Sequence, residues 1–249
     1  MKLHILGSSS SGNGYIMQSA SGAALIIECG VPLQSVKRAL AWRLSGVAGA
    51  IVSHHHGDHA KFVCDYSRAG IRIIAPGEVI DRHAPMFSHR AAANKKYRIG
   101  EFVVRTLPMQ HANNDGTPCE CFGYIITHPE CGNVLFATDT IALPCAVNGL
   151  HQIMIEANYD DAILERNIAA GDVDASERDR LRLSHMEIGT TERMMRMLDT
   201  KSVVNVILLH LSARNAAGDT FARRIAAAVG KPCQIARPGM IIDFNKQPY

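Results

Sequence analysis

The segment Ser53-His54-His55-His56-Gly57-Asp58-His59 crowds imidazoles and a carboxylate into one short stretch. Those groups suit zinc, and manganese or iron as well. They cannot all converge on one tetrahedral ion. Side chains two apart on an extended segment point the same way, so His54 and His56 can share an ion. A tight turn at Gly57 would then re-aim Asp58 and His59 towards a second. A solvated histidine run is the bland alternative, but such runs do not follow a buried strand in mid-chain, as this one does.

That strand covers residues 47–53, and its neighbours have the same character. Apolar, β-prone runs at 2–6, 15–18, 23–28, 71–75, 102–107, 122–127, 134–137, 153–156 and 203–209 read as strands bounded by turn residues. Residues 8–14 form a Ser/Gly loop. Leu33, Val36, Leu40 and Leu44 recur at helical spacing, which predicts a helix over 33–44. Further helices are expected over 161–170, about 187–198, and 220–229. Two rounds of strands with helices outside suggest sheet packed on sheet, flanked by helical layers. His111 falls just after a strand, His210 ends the strand at 203–209, and His185 sits at a helix start.

The chain has 249 residues, 47% of them hydrophobic, enough for a full core in a single domain over 1–249. No stretch approaches the roughly 20 apolar residues that span a bilayer. The opening Met1-Lys2-Leu3-His4-Ile5-Leu6-Gly7 reads as a first strand and not as a signal peptide, so a cytoplasmic location and no membrane partner are expected. Seven cysteines, an odd number without framework spacing, argue for reduced thiols. Cys119, Cys121 and Cys131 lack the paired pattern of a structural zinc site. A net charge of +3 is compatible with a polyanionic substrate without demonstrating one. The twelve histidines are the stronger compositional signal.

The histidine motif resembles the signature of the metallo-β-lactamase-fold superfamily, and the resemblance extends over most of the chain. It implies an α/β fold, the four-layer αββα sandwich. In Leu25-Ile26-Ile27-Glu28-Cys29-Gly30 a glutamate stands where the superfamily has an aspartate that orients the ligand loop. The resemblance places the next ligand at His111 and the bridging carboxylate at Asp139, in Leu135-Phe136-Ala137-Thr138-Asp139-Thr140. A buried strand running into an aspartate is also a costly place for a charge unless a cation receives it. Of His185 and His210, the latter stands where the fold delivers its final ligand. Ile155-Glu156-Ala157-Asn158 is similar to the strand end of ribonuclease Z, which implies that Glu156 holds His185 and that His185 protonates a leaving oxygen. The nearest branch is that of the YycJ/WalJ-like exonucleases. That likeness rests on Gly7-Ser8-Ser9-Ser10-Ser11-Gly12-Asn13, Ile155-Glu156-Ala157-Asn158, Leu183-Ser184-His185-Met186 and Leu209-His210-Leu211-Ser212-Ala213-Arg214-Asn215. The branch usually has Gly-His-Leu-Ser where this chain has Ser184-His185-Met186-Glu187.

Together these imply two divalent ions, zinc or manganese with iron also compatible. One would sit on His54, His56 and His111, the other on Asp58, His59 and His210, with Asp139 between them. The expected chemistry is hydrolysis by a metal-bridging hydroxide, with Asp58, Glu156 and His185 as the catalytic side chains. The leading substrate is a phosphodiester, in nucleic acid or a small molecule, and DNA first. Between His111 and Asp139 there is no room for the arm with which ribonuclease Z grips tRNA. Arg90, Lys95, Lys96, Arg98 and Arg105 are candidates to line the cleft, although a charge run is usually a solvated face. A hydrolase of a small ester, thioester or lactam on the same cage is a second reading. A non-catalytic metal-binding regulatory module is a third. The sequence is compatible with a homodimer and does not decide it.

Overall fold

The computed structural model describes residues 1–247. In the first half, strands β1 (Lys2–Gly7), β2 (Gly14–Gln18), β3 (Ala24–Ile27), β4 (Val47–Ile51), β5 (Ile73–Ala75) and β6 (Ser88–Arg90) alternate with helices. Those helices are α1 (Leu33–Ala39), α2 (Gly57–Ala60), α3 (Val63–Arg68) and α4 (Gly77–His83). The second half contains β7 (Lys96–Ile99), β8 (Phe102–Ala112), β9 (Pro118–His128), β10 (Gly132–Ala137), β11 (Leu150–Glu156), β12 (Asn205–Leu209) and β13 (Cys233–Ile235). With them run α5 (Asp161–Ala169), α6 (Ser176–Ser184), α7 (Ile188–Met197) and α8 (Gly218–Val229), and β14 (Ile241–Asp243) closes the chain of elements.

The strands form two seven-stranded sheets, ordered β14-β1-β2-β3-β4-β5-β6 and β13-β12-β11-β10-β9-β8-β7. Each half of the chain builds one sheet, and β14 crosses back to pair with β1. From β3 to β6 the first sheet is parallel, as is the second from β10 to β13. Alternation along each strand sends one set of side chains between the sheets and the other outward. Leu25 and Ile27 of β3 meet Tyr124, Ile126, Phe136 and Met154 in the inner core. Ala24 and Ile26 face outward with Val36, Val63 and Tyr66 from α1 and α3. On the far side Leu135, Ile153 and Leu208 pack under Ile188, Met195, Phe221 and Ile225 of α7 and α8. The layers are helix, sheet, sheet, helix, the expected sandwich.

Several local expectations need correction. The helix from Leu33 stops at Ala39, not at residue 44. Ala41 adopts φ 48°, its N–H reaches the Arg38 carbonyl and that of Trp42 the Lys37 carbonyl, a Schellman closure made without glycine. Gly57 makes no special turn: it is the first residue of α2. β8 runs on to Ala112, so His111 lies inside a strand. His185 does not begin a helix but caps the C-terminus of α6. Ser-Glu-Arg-Asp-Arg-Leu-Arg-Leu-Ser is too polar for its helical face to show as a hydrophobic stripe, and only Leu181 and Ser184 of it are buried. No helix among the described residues is long and apolar enough to cross a membrane.

Candidate metal centre

In the parallel part of each sheet the strands end at one shared edge, and the chemistry-bearing side chains collect there. Glu28 follows β3, His54 stands three residues past β4, Asp139 two past β10, Glu156 ends β11 and His210 follows β12. β8 is antiparallel to β9, and β9 to β10, so β8 runs the same way as β10 and brings His111 to the same edge. Two bonds join the sheets there: the Tyr124 hydroxyl donates to the Val52 carbonyl at 2.6 Å, and the Phe122 N–H to that of Ser53 at 2.9 Å. Glu28, Asp139 and His210 have φ of 67°, 49° and 53°, a backbone region that costs on the order of 1–3 kcal/mol for such residues. All three are buried. The packing of both sheets imposes this strain at the site.

Ligand-capable atoms of His54, His56 and His111 lie within 4.8 Å of one another, as do those of Asp58, His59 and His210. Asp139 groups with His54 and His59, one from each set, so it lies between them. His55 points elsewhere, its Nδ1 2.9 Å from Glu78 and 3.5 Å from the Cys119 sulfur, as alternation along the segment requires.

Outer partners fix which ring nitrogens face inward. His111 donates Nδ1–H to the Ser184 carbonyl at 2.8 Å, which leaves the Nε2 lone pair free. His56 Nε2 meets the Asn113 side-chain oxygen at 3.1 Å, and its Nδ1 lies 3.0 Å from His111 Nε2. His54 Nδ1 lies 2.9 Å from the Ser53 hydroxyl oxygen, while its Nε2 is buried with no hydrogen-bond partner. A buried orphan nitrogen beside two converging ring nitrogens is expensive without a cation.

The other half is crowded with carboxylates. Nε2 of His59 lies 2.9 Å from Asp139 and 3.2 Å from Asp58, and its Nδ1 is 3.4 Å from Glu28. His210 Nε2 lies 3.0 Å from Asp58. Glu28 also accepts from the Ser53 N–H at 3.2 Å, so the glutamate reaches both the 53–59 segment and the His59 ring.

Protonation follows from this layout. Burial drives the His54 imidazole well below its usual range and takes His111 down to about 4, so both are neutral near pH 7. Burial also lowers His59, but Asp139, Asp58 and Glu28 outweigh it and hold that ring well above its usual range. Burial opposes the charged form of His210 too, yet Asp139, Asp58 and Glu156 raise it to about 10. For Asp58 and Asp139 burial pushes upward, and the surrounding imidazoles overcome it and hold both carboxyls below the usual range. One half therefore offers free lone pairs. In the other, protons sit where a cation would balance the charge. The orphan nitrogen and the mixed nitrogen and oxygen donors fit divalent metal.

Glu156 is fully buried, with Oε1 2.7 Å from His185 Nδ1. Its Oε2 accepts from the N–H groups of Thr140 and Met186, each at 3.2 Å. His185 stacks on His210 at 5.3 Å and lines a cleft of about 280 Å³ with His56, Asp58, His111 and Asp139. Every predicted site residue is thus brought to this edge. The basic residues 90, 95, 96, 98 and 105 are not: none lines the cleft, Arg90 pairs with Asp81, and Lys96 and Arg105 border a separate hollow.

A family model described as "Beta-lactamase superfamily domain" matches residues 25–211. The chain belongs to the beta-lactamase superfamily. Solved structures agree on the metallo-β-lactamase fold of this superfamily member. Zn²⁺-bound PqqB from Methylobacterium extorquens matches with a TM-score of 0.74 at 11% identity, over 98% of this chain and 100% of that one. The metallo-β-lactamase fold protein YhfI from Bacillus subtilis matches at 0.71 and 16% identity, over 97% and 99%. The short form of human tRNase Z matches at 0.61 and 14%, over 98% and 99%. No curated protein matches the sequence. Within this superfamily chain the His/Asp cluster is one able to bind metal.

Two asparagines were missed as site residues. Asn13 Nδ2 contacts Asp58 Oδ2 at 3.1 Å and His59 Nε2 at 3.0 Å. Asn158 Nδ2 contacts the carbonyl of His210 at 2.6 Å and its Nδ1 at 3.1 Å. Both stand in segments that carried the branch resemblance, Gly12-Asn13 and Ala157-Asn158, which was the available signal.

Proposed function

We propose that this chain is a metal-dependent phosphodiesterase acting on nucleic acid or a small phosphodiester. The observation that carries the reading is the Glu156–His185 pair, a fully buried carboxylate 2.7 Å from an imidazole that lines the cleft beside Asp139. An ester whose leaving group is a good anion does not need such an acid, but an alkoxide does. The likeness to tRNase Z, a nuclease by name, supports the same class.

His54, His56 and His111 would hold one divalent ion, and Asp58, His59 and His210 a second, with Asp139 facing both. The donor set suits zinc or manganese, and iron as well. When bound, such ions supply Lewis acidity and make water more acidic. The other steps belong to side chains. Asp58 lines the cleft and accepts a hydrogen bond from the attacking water. As the bond from phosphorus to the leaving oxygen breaks, His185 gives that oxygen a proton from its free ring nitrogen. Glu156, on the other nitrogen, stabilises the imidazolium before transfer and fixes the tautomer after it.

His185→Ala tests this with two substrates and the metal-loaded protein. Hydrolysis of the dinucleotide dTpdT should fall ~10²–10⁴-fold, the usual worth of a placed general acid. The loss on bis(p-nitrophenyl) phosphate should be much smaller, because nitrophenolate departs unprotonated. Equal losses on both would remove His185 as the acid. Turnover of a thioester or lactam without turnover of either diester would replace the substrate class.

A further inference from the structure

The cleft at the metal centre continues into a second hollow of about 190 Å³. Ser10, Arg180, His185 and His210 border both. Arg214 and Ser212 border the second alone. The first hollow stands at the lower end of the roughly 300–1,000 Å³ of a typical small-ligand site, so a substrate larger than it has the second hollow to extend into.

The second hollow has its own charge. Arg214 donates to Glu177 at 3.1 Å and to the Asp172 carbonyl at 3.3 Å, which steadies its guanidinium. Arg180 lies 3.7 Å from the same Glu177, beyond hydrogen-bond distance. Two guanidinium groups share one carboxylate, and the hollow retains a positive charge with unused N–H donors. Planar N–H forks of this kind match phosphate oxygens. His185 stands at the junction, so a substrate whose leaving oxygen faces His185 can continue into the second hollow.

Building on the phosphodiesterase reading, we propose that this hollow recognises a further phosphate on the leaving fragment of the substrate, gripped by Arg180 and Arg214. The natural substrate is then a chain with a phosphate beyond the scissile one, and the released alcohol bears that phosphate. Arg180 is held in place by the turn that also supplies the site: its carbonyl accepts from the Ser184 hydroxyl at 2.6 Å, and the Ser184 carbonyl anchors His111.

The experiment uses the metal-loaded protein and three probes, dTpdT without a terminal phosphate, with one at its 5′ end, and with one at its 3′ end. One phosphorylated form should show a KM about tenfold or more below the plain dinucleotide, the usual worth of a charge-assisted contact. Product analysis should find the scissile phosphate on the other fragment. Arg180→Ala and Arg214→Ala should each shrink that preference, while Arg105→Ala, on the separate hollow, keeps it. Calorimetry provides a readout without turnover: thymidine 3′,5′-bisphosphate should bind more tightly than thymidine 5′-phosphate, and Arg180→Ala should remove the difference. Hydrolysis of all three probes with no preference, or a preference that survives both arginine variants, overturns the inference and leaves the phosphodiesterase reading standing. Failure to cleave any diester overturns both.

Discussion

His59 and His210 are rings that a cation must deprotonate before it can use them. Both carry raised pKa values because carboxylates surround them, His59 well above its usual range and His210 near 10. Metal binding therefore competes with protons, and affinity rises with pH until these rings are neutral. The sign for folding is the reverse. For His210 the folded value, about 10, exceeds the ordinary 6.5, so its contribution to stability is complete below 6.5 and is lost as pH climbs through 10. Chelator-treated protein should lose stability across that window, while metal-loaded protein replaces the lost protons with a cation. The gap in Tm between the two forms should widen from pH 6.5 towards 10. A gap that narrows would show that these imidazoles do not ligate. At this scale much was legible in advance: alternation paired His54 with His56 and excluded His55. The tautomers were not, because they depend on Ser184 and Asn113, which lie 73 and 57 residues from the rings they fix.

α2 illustrates how backbone contacts place an element. The Asn13 N–H donates to the Asp58 carbonyl at 2.7 Å, and the Cys29 N–H to the His59 carbonyl at 2.7 Å. Gly30 lies so close that a β-carbon there would overlap the Asp58 carbonyl. The loops after β1 and β3 thus grip the short helix that presents Asp58 and His59. Gly30→Ala should push α2 away from His210 and Asp139, cutting metal retained after dialysis at a cost of about 1–3 kcal/mol to the metal-free fold. Gly57→Ala, where a β-carbon meets nothing within 4 Å, should keep its metal. Equal metal content in both proteins, measured by mass spectrometry, would show that the contact does not position the ligands. Where hydrophobic periodicity was strong, as in β4, β12 and α8, one end of each element was legible and the other fell two residues from its expected place. α6 was missed because its stability comes from a small cluster of Tyr159, Leu164, Val173 and Leu181 and from pairs such as Arg182 with Asp161 at 3.0 Å, contacts that no local pattern announces.

Across the whole molecule, the core between the sheets sets the distance between strand ends. Phe136 is fully buried in β10, edge-on to Tyr15 of β2 at 5.8 Å, and it lies three residues before Asp139. Phe136→Ala should cost about 3–5 kcal/mol in urea unfolding and weaken metal binding along with it. Trp42→Ala, at a position 62% exposed, should change stability by about 0.5 kcal/mol or less. A stable Phe136→Ala protein with intact metal affinity would mean that sheet packing does not hold the site. The amino-acid sequence by itself determined which imidazoles and carboxylates stand near strand ends, since that is written in local spacing and hydrophobic alternation, while the resemblance of its histidine motif implied the layered fold and the metal-holding role of those residues. Tertiary structure alone decided that Glu28 reaches His59, that Asn13 holds Asp58 and His59 while Asn158 holds His210, and that Arg180 borders the cleft and Arg214 the hollow next to it, in place of the basic run near residue 96. The reason is physical: which strand ends and loops meet depends on the register and packing of both sheets at once, and no stretch of chain records that separately.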